Sequence, residues 1–158
     1  MDQVSATLSF PAAAERVFAV LADPASHAAI DGTGWAQGVV DREPLTRAGQ
    51  VFRMAMHHDG HPDGDYRTAN RVEVLEEPSV IGWLTGYETD EGELVLGGWV
   101  WRYDLVRTGP ETSEVTLTYD WSEVNEERRA IIGFPPFGPD HLGNSLRHLR
   151  ELVISRTY

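Results

Sequence analysis

Residues 99–121 read WVWRYDLVRTGPETSEVTLTYDW and contain two alternating runs separated by a turn. Side chains two positions apart in a strand share a face, and one face of this segment collects large apolar residues. They are Trp99, Trp101, Tyr103 and Leu105 in the first run, and Val115, Leu117, Tyr119 and Trp121 in the second. Because Gly109-Pro110 supplies a turn, the pattern predicts an antiparallel hairpin with one aromatic face.

A turn centred near Glu111 sets the predicted register of this hairpin. It places Tyr103 opposite Tyr119, Trp101 opposite Trp121, and Arg102 opposite Asp120 on the solvent face. An aromatic face of this size needs a cover. The candidates are a helix of the same chain and a bound ligand.

The last part of the chain predicts a helix that can supply part of the cover. Leu142, Leu146, Leu149 and Val153 recur at helical spacing, and polar residues occupy the other faces. Asp140 precedes this stripe and is predicted to cap the helix. We therefore expect an amphipathic helix that lies across a curved antiparallel sheet.

Apolar spacing and turn residues predict the remaining elements. A first strand ends at Phe10, and a helix over 14–21 stops at Asp23-Pro24. Further predictions are a short helix over 25–30, strands over 35–41, 51–58, 66–75 and 79–86, and a glycine-rich acidic loop over 90–98. A loop centred near Pro62 places His58 opposite Tyr66 and Met54 opposite Asn70.

Composition excludes several classes of protein. The 158 residues include 25 acidic and 13 basic side chains, and the formal net charge of -12 repels nucleic-acid phosphates and anionic membrane surfaces. The absence of cysteine excludes disulfides, thiolate catalysis and cysteine-ligated zinc. No secretory leader or membrane-spanning run is recognisable in the sequence. We expect one domain over residues 1–158, in the cytoplasm, as a monomer or homodimer without nucleic-acid partners or membrane insertion.

Four segments resemble a known superfamily and together cover nearly the whole chain. They are ATLSFPAAAERVFAVLADPASH (6–27), YRTANRVEVLEEPSVIGWLTG (66–86), the 99–121 hairpin and GPDHLGNSLRHLRELV (138–153). The chain resembles the START-like, Bet v-type superfamily called SRPBCC, in its polyketide cyclase/dehydrase branch. The resemblance implies an α+β helix-grip fold, in which a seven-stranded curved antiparallel sheet wraps around a long C-terminal helix and two short helices follow the first strand.

The resemblance also implies an internal cavity, which this superfamily uses for hormones, lipids, aromatic polyketides and quinones. Face assignment then gives the expected ligand-binding residues, which are mostly apolar with a few polar groups, as in small-molecule pockets. They are Met54, Met56, His58, Tyr66, Asn70, Trp83, Trp99, Trp101, Tyr103, Tyr119, Trp121, Phe134, Phe137, Leu142, Leu146 and Leu149. The alternative is that the large aromatic residues are ordinary core.

Three of these residues are the candidate catalytic groups: His58, Asn70 and Tyr119. Asn70 and His58 lie among apolar neighbours, where an unpaired polar group costs about 1–3 kcal/mol. Either Tyr66, a backbone group or a trapped water satisfies them, or they bind a ligand carbonyl or hydroxyl. In the second case, His58 could transfer a proton near neutral pH.

Two further features have competing interpretations. The histidines and aspartates of residues 57–65 suggest a metal site, but their spacing matches no recognised ligand pattern, so we expect neither a metal nor a cofactor. Residues 134–139, FPPFGP, could form a lid at the cavity mouth or a stiff linker whose phenylalanines plug the core.

Three functional hypotheses remain open. The first is a protein that binds a hydrophobic small molecule, aromatic or lipid-like. The second is a cyclase or dehydratase that folds a reactive polyketide-like chain in the same cavity, largely by holding it in one geometry. The third is a protein-interaction module that resembles the activator of a heat-shock chaperone ATPase.

Overall fold

A computed structural model of the protein describes residues 2–31, 36–57 and 64–156. The strands are β1 (Gln3–Phe10), β2 (Ala36–Val39), β3 (Val51–His57), β4 (Asp65–Glu76), β5 (Val80–Glu88), β6 (Leu94–Gly109) and β7 (Thr112–Asp120). The helices are α1 (Ala14–Leu21), α2 (His27–Asp31), α3 (Glu126–Ile131) and α4 (His141–Ser155).

All seven strands form one antiparallel sheet in the order β1-β7-β6-β5-β4-β3-β2. Helices α1 and α2 follow β1, and α4 packs against α1, α2 and β1. This architecture confirms the predicted α+β helix-grip fold. Within the described ranges, no helix is long and apolar enough to cross a membrane.

The segment between α1 and α2 starts with a short 3-10 turn instead of the single helix predicted over 25–30. Asp23 accepts a hydrogen bond from the Ala25 backbone N–H (3.1 Å) and so caps the turn Pro24–Ser26. Helix α2 then begins at His27. Residues 32–35, which include the first position of the strand predicted over 35–41, lie outside the described part of the chain.

Strand β6 begins at Leu94, so the prediction of a loop over 90–98 is wrong beyond Glu93. One glycine of β5 and one glycine of β6 lie where the backbones approach closely. A Cβ at Gly86 would lie 1.9 Å from the Val95 carbonyl oxygen, and Gly98 has a φ of 97° close to the backbone of Glu123. The pairing between β5 and β6 shifts its register at the same place.

Both predicted hairpin registers are wrong by two residues, whereas the predicted faces are right. Trp101 pairs with Tyr119 and Tyr103 with Leu117, because the turn closes between Gly109 and Thr112 beside an irregularity. On the solvent face Arg102 lies opposite Thr118 and bonds Asp104 of its own strand (3.0 Å) instead of facing Asp120. In the other hairpin, Met56 pairs with Tyr66, Met54 with Thr68 and Phe52 with Asn70. A shift of two preserves the side-chain parity.

Helix α4 buries the predicted leucine stripe, but the predicted side-chain cap is absent. Asp140 occupies the N-cap position without a side-chain hydrogen bond. Its φ of -92° and ψ of -4° are already near helical, whereas a capping residue is usually extended. Helix α3 was not predicted. Asn125 caps it by accepting a hydrogen bond from the Arg128 backbone N–H (2.8 Å).

Candidate functional site

A cavity of about 290 Å³ lies between the inner face of the sheet and helices α2 and α4. Eleven of the residues selected from the sequence line it. Strands β3 and β4 contribute Met54, Met56, Tyr66 and Asn70, strands β5 to β7 contribute Trp83, Trp99, Trp101, Tyr103 and Tyr119, and the segment before α4 contributes Phe134 and Phe137. The structure therefore brings most of the aromatic residues to one space.

Four selected residues are buried outside the cavity lining: Trp121, Leu142, Leu146 and Leu149. Trp121 packs against Phe134 with ring centroids 6.4 Å apart. The leucine stripe of α4 belongs to the hydrophobic core, and the helix instead places His141 and Ser145 in the lining. Because His141 and Ser145 are four residues apart, they share one helical face beside the leucine stripe.

The region of the suspected metal site is only partly described. His58, which was also a candidate catalytic residue, lies outside the described residues, as do 59–63. His57 contacts Asp65 at 2.7 Å between Nδ1 and Oδ1, and both side chains are exposed.

Asn70 obtains its hydrogen bonds from the protein. The Thr85 hydroxyl donates to Asn70 Oδ1 (2.8 Å), and Asn70 Nδ2 donates to the Phe52 carbonyl oxygen (3.3 Å) and to Thr68 Oγ1 (3.4 Å). The sequence left four possible partners for Asn70, namely Tyr66, a backbone group, a water and a ligand. In the structure its partners are two threonines, on β4 and β5, and a backbone carbonyl. Thr68 and Thr85 also line the cavity and form a polar cluster with Asn70.

His27 is a lining residue that sequence reasoning missed. Its Nε2 lies 2.8 Å from the Leu21 carbonyl oxygen. The imidazole stacks on Trp83 at 4.9 Å with an interplanar angle of 14°, and it meets Phe52 edge-on at 5.4 Å. Burial lowers the pKa of His27, against the opposing effects of the Leu21 hydrogen bond and the Asp23 charge. A lone histidine after a 3-10 turn carries no periodic signal.

A second histidine of the cavity, His141 on α4, lies close to a carboxylate of α2. His141 Nε2 lies 3.7 Å from Asp31 Oδ1. Burial lowers the pKa of His141, Asp31 raises it, and His148 lowers it further. Asp31 and His141 were also missed, because two residues 110 positions apart in sequence are brought together only by the packing of α2 on α4.

The phenols of the cavity are proton donors at neutral pH. Burial, and secondarily the Asp31 carboxylate, raises the pKa of Tyr66 and of Tyr103 above the ordinary value. Burial alone raises the pKa of Tyr119. Burial therefore favours the neutral phenol of Tyr119, which can form hydrogen bonds in the cavity.

The segment before α4 packs its two phenylalanines onto the aromatic wall. Phe137 contacts Trp101 (5.8 Å), Tyr119 (5.0 Å) and His141 (4.6 Å), and Phe134 contacts Trp99 (5.9 Å), all between ring centroids. Both phenylalanines line the cavity. This position is compatible with a lid and with a fixed plug.

Comparison with known sequences gives two curated relatives and no family assignment. No protein-family model matches the chain. The uncharacterized protein Rv0088 of Mycobacterium tuberculosis is 28% identical over 119 residues, which cover 75% of this chain and 47% of that protein. The chain thus spans about half the length of the curated relatives it matches.

Comparison with solved structures identifies proteins of the same fold. Ms6760 from Mycobacterium smegmatis has a TM-score of 0.66 at 16% identity, over 98% of this chain and 92% of that one. Norcoclaurine synthase from Thalictrum flavum, in complex with dopamine and hydroxybenzaldehyde, has a TM-score of 0.64 at 14% identity, over 99% and 88%. These neighbours share the helix-grip fold predicted from the sequence.

Proposed function

We propose that this protein binds a hydrophobic, aromatic small molecule in the cavity between the sheet and helices α2 and α4. The observation that carries the proposal is a cavity with an aromatic wall and few polar groups, which is how small-molecule sites are built. A fully packed core would have favoured the alternative of a protein-interaction module. The open cavity favours a ligand.

The size of the cavity limits the ligand. An apolar cavity of about 150 Å³ accepts benzene, so the space of about 290 Å³ suits a ligand of one or two rings. Dopamine and hydroxybenzaldehyde, named with the norcoclaurine synthase structure, are single-ring aromatics. A long polyketide-like chain would need the cavity to expand, so we place the cyclase or dehydratase hypothesis second and limit it to short substrates.

Charge further restricts the ligand to neutral or cationic molecules. Among the described lining residues, Asp31 is the carboxylate and none is lysine or arginine. The net charge of -12 disfavours anions in the surroundings as well. A neutral naphthalene derivative is therefore a suitable first probe.

Tryptophan fluorescence tests this proposal, because Trp83, Trp99 and Trp101 line the cavity. Titration with neutral 2-naphthol should quench or shift tryptophan emission in a saturable manner. Ser145→Phe should block binding, because Ser145 lines the cavity and is 3% exposed. The matched control is Ser155→Phe, which adds the same ring to an exposed position of α4 and should bind normally. Absence of saturable binding to the folded wild type would refute the proposal.

A further inference from the structure

The tautomer of His27 follows from its hydrogen bond. The Leu21 carbonyl oxygen can only accept, so the His27 nitrogen 2.8 Å away from it, Nε2, must carry a proton and donate. Burial lowers the pKa of His27, which favours the neutral imidazole. In a neutral imidazole with a proton on Nε2, the other nitrogen, Nδ1, carries a bare lone pair.

This lone pair has no partner in the described protein. The ring contacts of His27 are with Trp83 and Phe52, and its hydrogen bond goes through Nε2. Every fully buried polar side-chain atom of the described residues has a hydrogen-bond partner, so an unpartnered Nδ1 must lie at an accessible surface. His27 is partly accessible and lines the cavity.

We propose that His27 is the polar anchor of the ligand and that its Nδ1 accepts a hydrogen bond from a phenol or enol O–H group. This inference rests on the proposed function, which it extends by naming the ligand chemistry. A bare imidazole nitrogen selects a donor, and the stacked Trp83 and edge-on Phe52 hold the ring in one orientation. The ligand is therefore an aromatic molecule with a hydroxyl group.

The neighbouring polar cluster is consistent with the same ligand. Phe52, Asn70 and Thr85 are aligned across β3, β4 and β5, and His27 packs over the Phe52 end of this row. The Thr85 hydroxyl donates its hydrogen bond to Asn70 Oδ1, and its oxygen can still accept one. Thr68 Oγ1 accepts from Asn70 Nδ2, so its own proton is available to a ligand oxygen. A ligand hydroxyl that donates to His27 Nδ1 can therefore also accept a hydrogen bond from the Thr68 hydroxyl.

Two probes distinguish a hydrogen bond to His27 from binding in the cavity without that bond. 2-Naphthol offers an O–H donor, and 2-methoxynaphthalene keeps the rings and the oxygen but cannot donate. The wild type should bind 2-naphthol about three- to ten-fold more tightly, the effect of one hydrogen bond. If both probes bind equally well, the proposed hydrogen bond to His27 is refuted, whereas the proposed function is supported. If neither binds, the proposed function itself fails.

Variants assign the preference to His27. His27→Phe keeps an aromatic ring beside Trp83 and has no nitrogen acceptor, so the two probes should bind it with equal affinity. The matched control is His148→Phe. His148 also bonds a backbone carbonyl, that of Ile30 (3.1 Å), but is outside the cavity lining, so this variant should keep the preference. A preference that survives in folded His27→Phe would overturn the proposal.

Nitrogen NMR of the wild type tests the contact without any substitution. The Nδ1 resonance of His27 should be of the unprotonated type in the free protein. It should move when 2-naphthol is added and stay nearly unchanged with 2-methoxynaphthalene. Protonated Nδ1 in the free protein, or equal shifts with the two bound probes, would contradict the proposal even if His27→Phe failed to fold.

Discussion

The hydrogen bond between Thr85 and Asn70 yields a sharp prediction about stability. Asn70 is 4% exposed and Thr85 is 9% exposed, and the bond joins Thr85 Oγ1 to Asn70 Oδ1 at 2.8 Å. Asn70→Leu removes the acceptor and leaves the Thr85 hydroxyl unpaired. Thr85→Val removes the donor and leaves Asn70 Oδ1 with one fewer partner. Each single change should reduce the free energy of unfolding by about 1–3 kcal/mol.

The double variant should be more stable than the sum of the single effects predicts. Replacing both partners with apolar side chains of similar shape leaves no unpaired group from this bond, and such replacements can be nearly neutral. The other bonds of Asn70, to Phe52 and Thr68, are long at 3.3 and 3.4 Å and contribute less. We expect a coupling energy of about 1–2 kcal/mol for contacting residues.

Urea unfolding of the wild type, the two single variants and the double variant measures this coupling. The slopes of the four transitions must agree for the comparison to hold. Additivity within about 0.3–0.5 kcal/mol would refute the reasoning, because that is the behaviour of independent sites. The same variants report on the ligand. Asn70→Leu should also weaken 2-naphthol binding, since it disturbs the two threonines that line the cavity with Asn70, and unchanged affinity in calorimetry would contradict a polar end of the cavity.

The remaining predictions concern pH, the core and the cavity mouth. Because the pKa values of His27 and His141 lie below 6.5 in the folded state, the unfolded chain binds more protons just below that pH. The free energy of unfolding should therefore fall on acidification from pH 6.5, by at most about 1.4 kcal/mol per pH unit for each histidine. Urea unfolding at several pH values measures this dependence. The same pH dependence in wild type and His27→Gln would count against a contribution from His27. Leu146→Ala should cost about 2–5 kcal/mol in urea unfolding, because Leu146 is fully buried, and a loss below 1 kcal/mol would show that the core is described wrongly. Saturating 2-naphthol should slow proteolysis of residues 134–139 if they form a lid, and unchanged cleavage would identify a plug.

Sequence reasoning predicted the faces of the sheet well and the registers poorly, for one physical reason. Side-chain parity in a strand is a local property, so the aromatic face containing Trp101 and Tyr119 could be read directly. Register depends on where each turn closes, and the closure at Gly109 and Thr112 moved every partner by two. The bent start of β6 was missed because glycines that permit a strand to bend look like those of a loop.

The polar part of the site was harder to predict than the aromatic part. Asn70 stood out because it is a polar residue at a core-facing position of a strand. His27, Asp31 and His141 lie on helices, where their place in the cavity depends on how α2 and α4 dock onto the sheet. No spacing within α2 or α4 carries that information. The leucines of α4 were assigned to the cavity for the same reason, whereas the helix is rotated so that Ser145 faces it.

The most direct test of the central claim is a crystal structure of the protein with 6-bromo-2-naphthol, located by anomalous scattering from bromine. The account predicts one dominant bromine peak inside the cavity, with the rings against Trp83 and Trp101 and the hydroxyl within hydrogen-bonding distance of His27 Nδ1. Bromine peaks on the surface alone, with the cavity filled by Phe134 and Phe137, would contradict it.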